Sequence, residues 1–214
     1  MRISVLFMIF LLNFLVSKAQ VSLLPMQSIA TGSNSEGIAM GDLNHDTLND
    51  IVVVNGFTSG SVFNYKLVIY YQHDNGELSA PDYISYPSYD WWGASAVGIG
   101  DVNNDSLNEI IISCGDSILI YFQDPVKRGI TDSSSAYFSG KNIDAFKVED
   151  INNDDLADII VTHWNSSYIR IFYQNEIGNW RIVDYPAPVT GNADIEIADI
   201  NNDHLKDILF IGAI

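Results

Sequence analysis

Asp42, Asn44, Asp46 and Asp50 stand at positions 1, 3, 5 and 9 of a nine-residue motif with Leu48 at position 7, and the pattern recurs three more times. The further copies are Asp101, Asn103, Asp105, Leu107 and Glu109; Asp150, Asn152, Asp154, Leu156 and Asp158; and Asp199, Asn201, Asp203, Leu205 and Asp207. In a turn, alternate side chains at 1, 3 and 5 converge on one point. The leucine carbonyl at 7 can join them, and the acid at 9 closes the far side, much as in the first half of an EF-hand loop. An all-oxygen donor set of this kind suits Ca2+, which accepts six to eight oxygens in flexible geometry. Mg2+ demands a tight octahedron and keeps its waters. The spacing therefore predicts up to four calcium loops, at 42–50, 101–109, 150–158 and 199–207. One such turn is commonly a plain polar turn. Four in register, each with Leu at 7 and an acid at 9, argue for a shared ligand.

The elements that must position these loops repeat as well. The leading aspartates are 59, 49 and 49 residues apart, so one structural unit is being copied. Before each motif lies a short alternating segment, at 37–41, 96–100, 145–149 and 194–198. After each comes a β-branched run, at 51–54, 110–112, 159–161 and 208–211. A third strand at 67–72, 118–123 and 169–174 ends each time in two aromatics and a glutamine, and a fourth is predicted at 83–86, 136–138 and 181–185. Turn residues separate them at Asp74-Asn75-Gly76, Asp124-Pro125 and Gly178-Asn179. No stretch sustains a helical period. The fold class is all-β, a propeller-type repeat array of four-stranded antiparallel blades with about four repeats, the last incomplete. The fourth copy has only its first two strands, so a partial propeller, or a truncated piece of a longer one without independent function, is the alternative.

Charge and the chain's beginning narrow the setting. Ten Lys plus Arg against 27 Asp plus Glu give −17, a surface that repels phosphate backbones and anionic headgroups. Nucleic acid is excluded as a partner and cations are favoured. Arg2, an apolar run at 5–16 and Ser17-Lys18-Ala19 read as a secretory signal peptide at 1–19, cleaved before Gln20. That run is too short for the ~20 residues that cross a bilayer, so membrane insertion after cleavage is not expected. Cleavage removes two cations, Arg2 and Lys18, and leaves a secreted repeat domain at 20–214 with a charge of −19. The lone Cys114 lies in a strand-like run and reads as a buried, unreactive thiol.

From Gly41-Asp42 through Ile51-Val52-Val53, and in its three equivalents, the sequence resembles the FG-GAP and VCBS repeat family, the blades of integrin alpha-subunit propellers and of many secreted proteins. The resemblance spans 21–214. It implies calcium on the hairpin loops of one face and partner-binding loops on the opposite face. One departure stands out: position 6, commonly Gly in the family, is Thr47, Ser106, Asp155 and His204 here. A positive φ at that position would strain these residues, and the Asn at position 4 in three copies is the alternative carrier of it. His45 and His204 are expected to face solvent.

The loop holding Tyr89-Asp90-Trp91-Trp92-Gly93 offers Trp91 and Trp92 as flat faces for a sugar ring or as anchors for a protein. Asn165-Ser166-Ser167 matches a glycosylation acceptor pattern. Histidines 45, 73, 163 and 204 show no zinc spacing, and neither a nucleophile elbow nor a phosphate-cradling glycine loop occurs. The sequence thus predicts no enzyme but a secreted, calcium-binding extracellular binding or adhesion module for a protein or glycan ligand. A carbohydrate-active propeller of lyase or glycosidase type, working through paired acids, is the rival reading.

Overall fold

The computed structural model describes residues 28–57, 59, 61–62, 64–87, 93–176, 179–187 and 194–212. One compact unit runs from Thr31 to Ile214; Met1–Ala30 is a separate unit, of which 28–30 are described as exposed chain without regular structure. The segment 1–19, expected to be a signal peptide, and Trp91 and Trp92 lie outside the described residues.

Among the described residues there are fourteen strands and no helix, hence none long and apolar enough to cross a membrane. They form four antiparallel meanders in chain order. The first is β1 (Ser35–Gly41), β2 (Asp50–Asn55), β3 (Lys66–Tyr70) and β4 (Asp82–Ser85). The second is β5 (Val97–Gly100), β6 (Glu109–Cys114), β7 (Ser117–Asp124) and β8 (Gly129–Phe138). The third is β9 (Ile143–Glu149), β10 (Asp158–His163), β11 (Tyr168–Glu176) and β12 (Asn179–Pro186). The fourth has two strands, β13 (Ile195–Ala198) and β14 (Asp207–Phe210). This is a propeller-type array of four-stranded blades, with two strands of the fourth among the described residues.

Strand position within a blade explains strand composition. The second strands of the first three blades are covered on both faces, and every residue of β6 and of β10 is buried. Such strands read as continuous Ile and Val runs instead of alternating ones. Apolar clusters join neighbouring blades. Val52, Val54, Leu67 and Ile69 of the first meet Ile110, Ile112, Leu119 and Tyr121 of the second. Ile111, Ile118 and Ile120 of the second meet Phe146, Ile159 and Phe172 of the third. The first strands approach the next blade so closely that two of their glycines are dictated by space. A Cβ on Gly100 would stand 2.6 Å from Val148 Cγ1, and one on Gly41 2.8 Å from Ile99 Cγ2.

Two strands differ notably from their sequence expectations: β3 ends at Tyr70 instead of residue 72, leaving Gln72 in an isolated bridge to Leu78, and β8 is much longer than expected. Residues 136–138 are only the end of β8, which begins at Gly129. Its Asp132, Ser133 and Ser134 are exposed and polar because an outermost strand faces solvent and has little to bury. Backbone pairing with β7 makes it a strand. Of the turn expected at Gly178-Asn179, Gly178 lies outside the described residues and Asn179 opens β12. Cys114 is buried, as the sequence suggests, and its Sγ–H donates to the Pro87 carbonyl at 3.1 Å.

Candidate metal loops and the opposite face

Each first strand turns into its second through one of the four acidic motifs, so topology places these loops at the same end of every blade. The leading aspartate organises the turn. Asp42 Oδ1 accepts the N–H groups of Asn44 and Asp46 at 3.2 and 3.1 Å, and Oδ2 that of Thr47 at 2.8 Å. Asp101, Asp150 and Asp199 repeat the bond to the position-6 N–H, at 2.8, 2.9 and 2.9 Å. Burial works against the Asp42 charge, yet the N–H groups of Thr47, Asp46, Asn44 and His45 outweigh it and hold its carboxyl below the ordinary range.

These contacts require left-handed backbone at two places per loop. Positive φ occurs at His45, Asn104, Asn153 and Asn202 (position 4) and again at Thr47, Ser106, Asp155 and His204 (position 6). Position 4 therefore does not relieve position 6; both are left-handed. At position 6 the non-glycine residue is held there by the leading carboxylate, which accepts its N–H in all four loops. His45 and His204 are exposed, as the sequence suggests.

The position-9 acids sit at the base of each loop. Asp50, Glu109 and Asp158 are fully buried. Asp50 Oδ2 accepts the Leu43 N–H at 2.8 Å and Oδ1 the Gln72 N–H at 2.9 Å. Asp158 does the same with Ile151 at 3.3 Å and Gln174 at 2.9 Å. Glu109 Oε2 accepts the Val102 N–H, and Asp207 Oδ2 that of Ile200, each at 3.0 Å. Burial, with the neighbouring charges at positions 5 and 1, pushes Glu109 up to about 8 and Asp158 up to about 6.

The structure thus gathers positions 1, 3 and 5 in every loop and braces position 9 beneath them. Leu48, Leu107 and Leu156 are half-buried, while Leu205 is exposed. In three loops the Asn amide NH2 donates to the position-5 carboxylate at 3.0 Å, so presenting its oxygen there requires a half-turn of the amide. Among the described residues no three Asp, Glu, His or Cys side chains form a ready metal-holding group. The donor chemistry fits a hard cation nonetheless. Asn44 Oδ1 is buried without a hydrogen-bond partner, and crowded carboxylates pushed toward protonation are what a dipositive ion relieves.

The loops also touch the next blade. Asn108 Nδ2 donates to the Asp42 carbonyl at 3.0 Å, and Gln174 Nε2 to the Asp101 carbonyl at 3.2 Å. Lys206 Nζ lies 2.7 Å from Glu149 Oε1. The repeated glutamine is visible in the sequence, but its role is not, because its partner lies 73 residues away for Gln174.

At the opposite end, Ser95, Asn142, Ile143, Asp144 and Trp164 line a pocket of about 450 Å³, with Trp164 57% exposed. Next to Trp164 in the chain stands one half of a pair the sequence did not disclose: Ser139 Oγ and His163 Nε2 are 2.7 Å apart. Both are buried, at 0% and 2% exposure, so the hydroxyl is sealed from any substrate. Arg170 clamps Asp184 at 2.7 and 2.8 Å and donates to the Ser139 carbonyl at 2.7 Å. Burial, aided by the Arg170 charge, pulls His163 down to about 4.

Residues 150–210 match the family model described as an FG-GAP-like repeat, a segment running from the third loop through β14. The chain therefore carries an FG-GAP-like repeat. No curated protein matches the sequence. Among solved structures, the chain is similar to a mutant form of the Photorhabdus luminescens Tc holotoxin pore, at 13% identity and a TM-score of 0.48. The similarity covers 81% of this chain and 8% of that one, so the chain spans a small fraction of that protein's length.

Two outcomes follow. Asp158→Asn replaces an acceptor oxygen with an NH2 and leaves the Ile151 or Gln174 N–H unmatched. Urea unfolding in EDTA should show a loss of about 1–3 kcal/mol, with no ion involved. His163 has a folded pKa below its unfolded value near 6.5. Its contribution to stability is present above about pH 6.5 and is lost as pH falls toward 4 and below. The melting temperature should decline through that window, and His163→Gln should flatten the decline.

Proposed function

We propose that this chain is a secreted, calcium-stabilised propeller-type module that binds a partner on the face opposite its calcium loops. One observation carries the reading: the same oxygen-rich loop stands at the same end of four successive blades, each folded about its leading aspartate. Positions 1, 3 and 5, the position-7 carbonyl and the acid at 9 would hold the ion: Asp42, Asn44, Asp46, Leu48 and Asp50 in the first loop and their equivalents in the other three. The ion supplies positive charge among three carboxylates. The chain's own part is to fix the loop backbone with N–H bonds and to brace the position-9 acid against the third strand. Extracellular calcium modules have Kd of ~10⁻⁴–10⁻³ M. At ~1 mM Ca2+ and a Kd near 0.1 mM, each site would stabilise the fold by about 1.4 kcal/mol.

The pocket at the other end supports a glycan as the partner. An exposed indole beside a carboxylate, an amide and a hydroxyl is the mix of flat apolar face and polar edge that a sugar ring presents in return. The signal-peptide pattern supports secretion. No catalytic role is assigned: the Ser139–His163 pair is sealed, and the acids of the loops have a structural use.

Scanning calorimetry should show a melting temperature higher in about 1 mM CaCl2 than in EDTA by on the order of 10 °C, with Asp42→Ala and Asp101→Ala together removing about half of the gain. An unchanged melting temperature overturns the calcium reading. On an oligosaccharide array, Trp164→Ala should abolish retention while leaving the calcium-dependent gain intact; retention unaffected by that substitution rejects the pocket as the glycan site.

A further inference from the structure

The sequence holds two Asn-Gly pairs, Asn55-Gly56 and Asn75-Gly76, and the structure treats them in opposite ways. An asparagine side-chain amide followed by glycine is open to attack by the next backbone nitrogen, because glycine has no Cβ to hinder the approach or restrict the backbone. Asn55 is shielded. It ends β2 at 0% exposure, its Nδ2 donates to the Thr31 carbonyl at 2.8 Å, and its Oδ1 accepts from Ser35 Oγ at 3.3 Å. The nitrogen that would attack is engaged as well, since the Gly56 N–H donates to the Asn34 carbonyl at 2.7 Å.

Asn75 lacks that cover. Residues 73–77 are exposed and form a tight turn in the connection from β3 to β4. The His73 N–H donates to the Glu77 carbonyl at 2.9 Å and the Gly76 N–H to the His73 carbonyl at 2.7 Å, with Gly76 left-handed at φ 79°. Asn75 Oδ1 accepts the Glu77 N–H at 3.0 Å, which polarises the side-chain carbonyl, and Nδ2 donates to Glu77 Oε2 at 3.0 Å. A Cβ on Gly76 would meet nothing within 4 Å, so no neighbouring side chain crowds the turn. The attacking nitrogen is restrained only by its bond to His73, within an exposed turn that opens locally.

We propose that Asn75 is a site of spontaneous deamidation and backbone isomerisation that loosens the base of the first acidic loop. The Gly76 nitrogen gives its proton to solvent and attacks Asn75 Cγ. The new N–Cγ bond closes a succinimide ring as the Cγ–Nδ2 bond breaks, and the amide leaves as ammonia with a proton from water. Water then opens the ring. Attack at Cγ yields aspartate; attack at the main-chain carbonyl yields isoaspartate, with the chain routed through Cβ and Cγ. Both products add a negative charge, and isoaspartate also adds a carbon to the backbone. The turn joins flanks held by the Gln72–Leu78 bridge and by the Ser79 N–H on the Tyr71 carbonyl at 2.8 Å. Gln72 donates its N–H to Asp50 Oδ1 at 2.9 Å, one of the two N–H groups that brace this buried acid. A lengthened backbone no longer fits the turn closed by His73 and Glu77, so the bridge beyond it opens and Asp50 loses a donor. The turns at Asp124-Pro125 and Gly178-Asn179 contain no Asn-Gly, which confines the effect to the first blade. The proposal rests on the turn and not on calcium.

Incubation of the full chain in mildly alkaline, calcium-containing buffer at body temperature, followed by peptide mapping, tests it. Asn75 is expected to convert to isoaspartate and aspartate while Asn55 stays intact and circular dichroism is unchanged; in urea, where the fold no longer selects, both convert. Hydrogen exchange at the Gln72 N–H should be about tenfold faster in the isoaspartate form than in Asn75→Asp, which carries the same charge on an ordinary backbone. An Asn75 that keeps its amide in the folded chain while the urea-unfolded chain converts overturns the proposal. So does conversion of Asn55 in the folded chain at the same rate as Asn75, or equal exchange at Gln72 in the two forms.

Discussion

Burial of one carboxylate per blade is the constraint from which the described loops take their form. An acid at position 9 has no exposed surface in the first three blades, and in the first and third it takes one N–H from the loop's second residue and one from the glutamine at or just past the end of the third strand. That single group ties together three segments: the start of the turn, the strand leaving it, and the strand after that. Removing a charge from water is costly, and hydrogen bonds to the ionised form offset the cost only while all three segments stay in place. The turn is therefore rigid at its base. Its upper part, made of positions 1, 3 and 5, is organised by a second carboxylate whose N–H partners force left-handed backbone at positions 4 and 6.

Blade packing and loop geometry are mechanically one system. The carbonyl of a leading aspartate accepts from the next blade's asparagine or glutamine, and a few ångströms along the same strand a glycine makes room for that blade's Val or Ile. A change in a loop's charge thus reaches the inter-blade seam through backbone alone. The opposite end of the blades is built differently, from connections with few repeated features. There an exposed tryptophan lines a pocket, and the residue before it forms a sealed pair with Ser139. Repetition marks the end that holds the fold together, and departure from it marks the end free to specialise.

How much of this was legible beforehand follows from sequence separation. Motifs, second strands and the four-strand unit are local patterns repeated in register, and the copies reinforce one another. The span of β8 escaped because its residues face solvent and its identity comes from pairing with β7. The Gln123 and Gln174 bridges were visible as a repeated letter without a visible partner, since each partner belongs to another blade. Ser139 and His163 carried no signal, being 24 residues apart with no repeat of their spacing. The exposure of Ile38, Met40 and Leu209 was equally hidden, because their equivalents elsewhere in the chain are the same kind of residue in a covered place.

The account turns on four loops of matching chemistry acting as four cation sites. Native mass spectrometry of the protein dialysed against millimolar calcium measures this most directly, by counting ions per chain. Retention of as many as four calcium ions per chain, falling by one for each leading aspartate changed to alanine, is the outcome the account predicts. A mass equal to that of the bare polypeptide, with and without calcium, would contradict it.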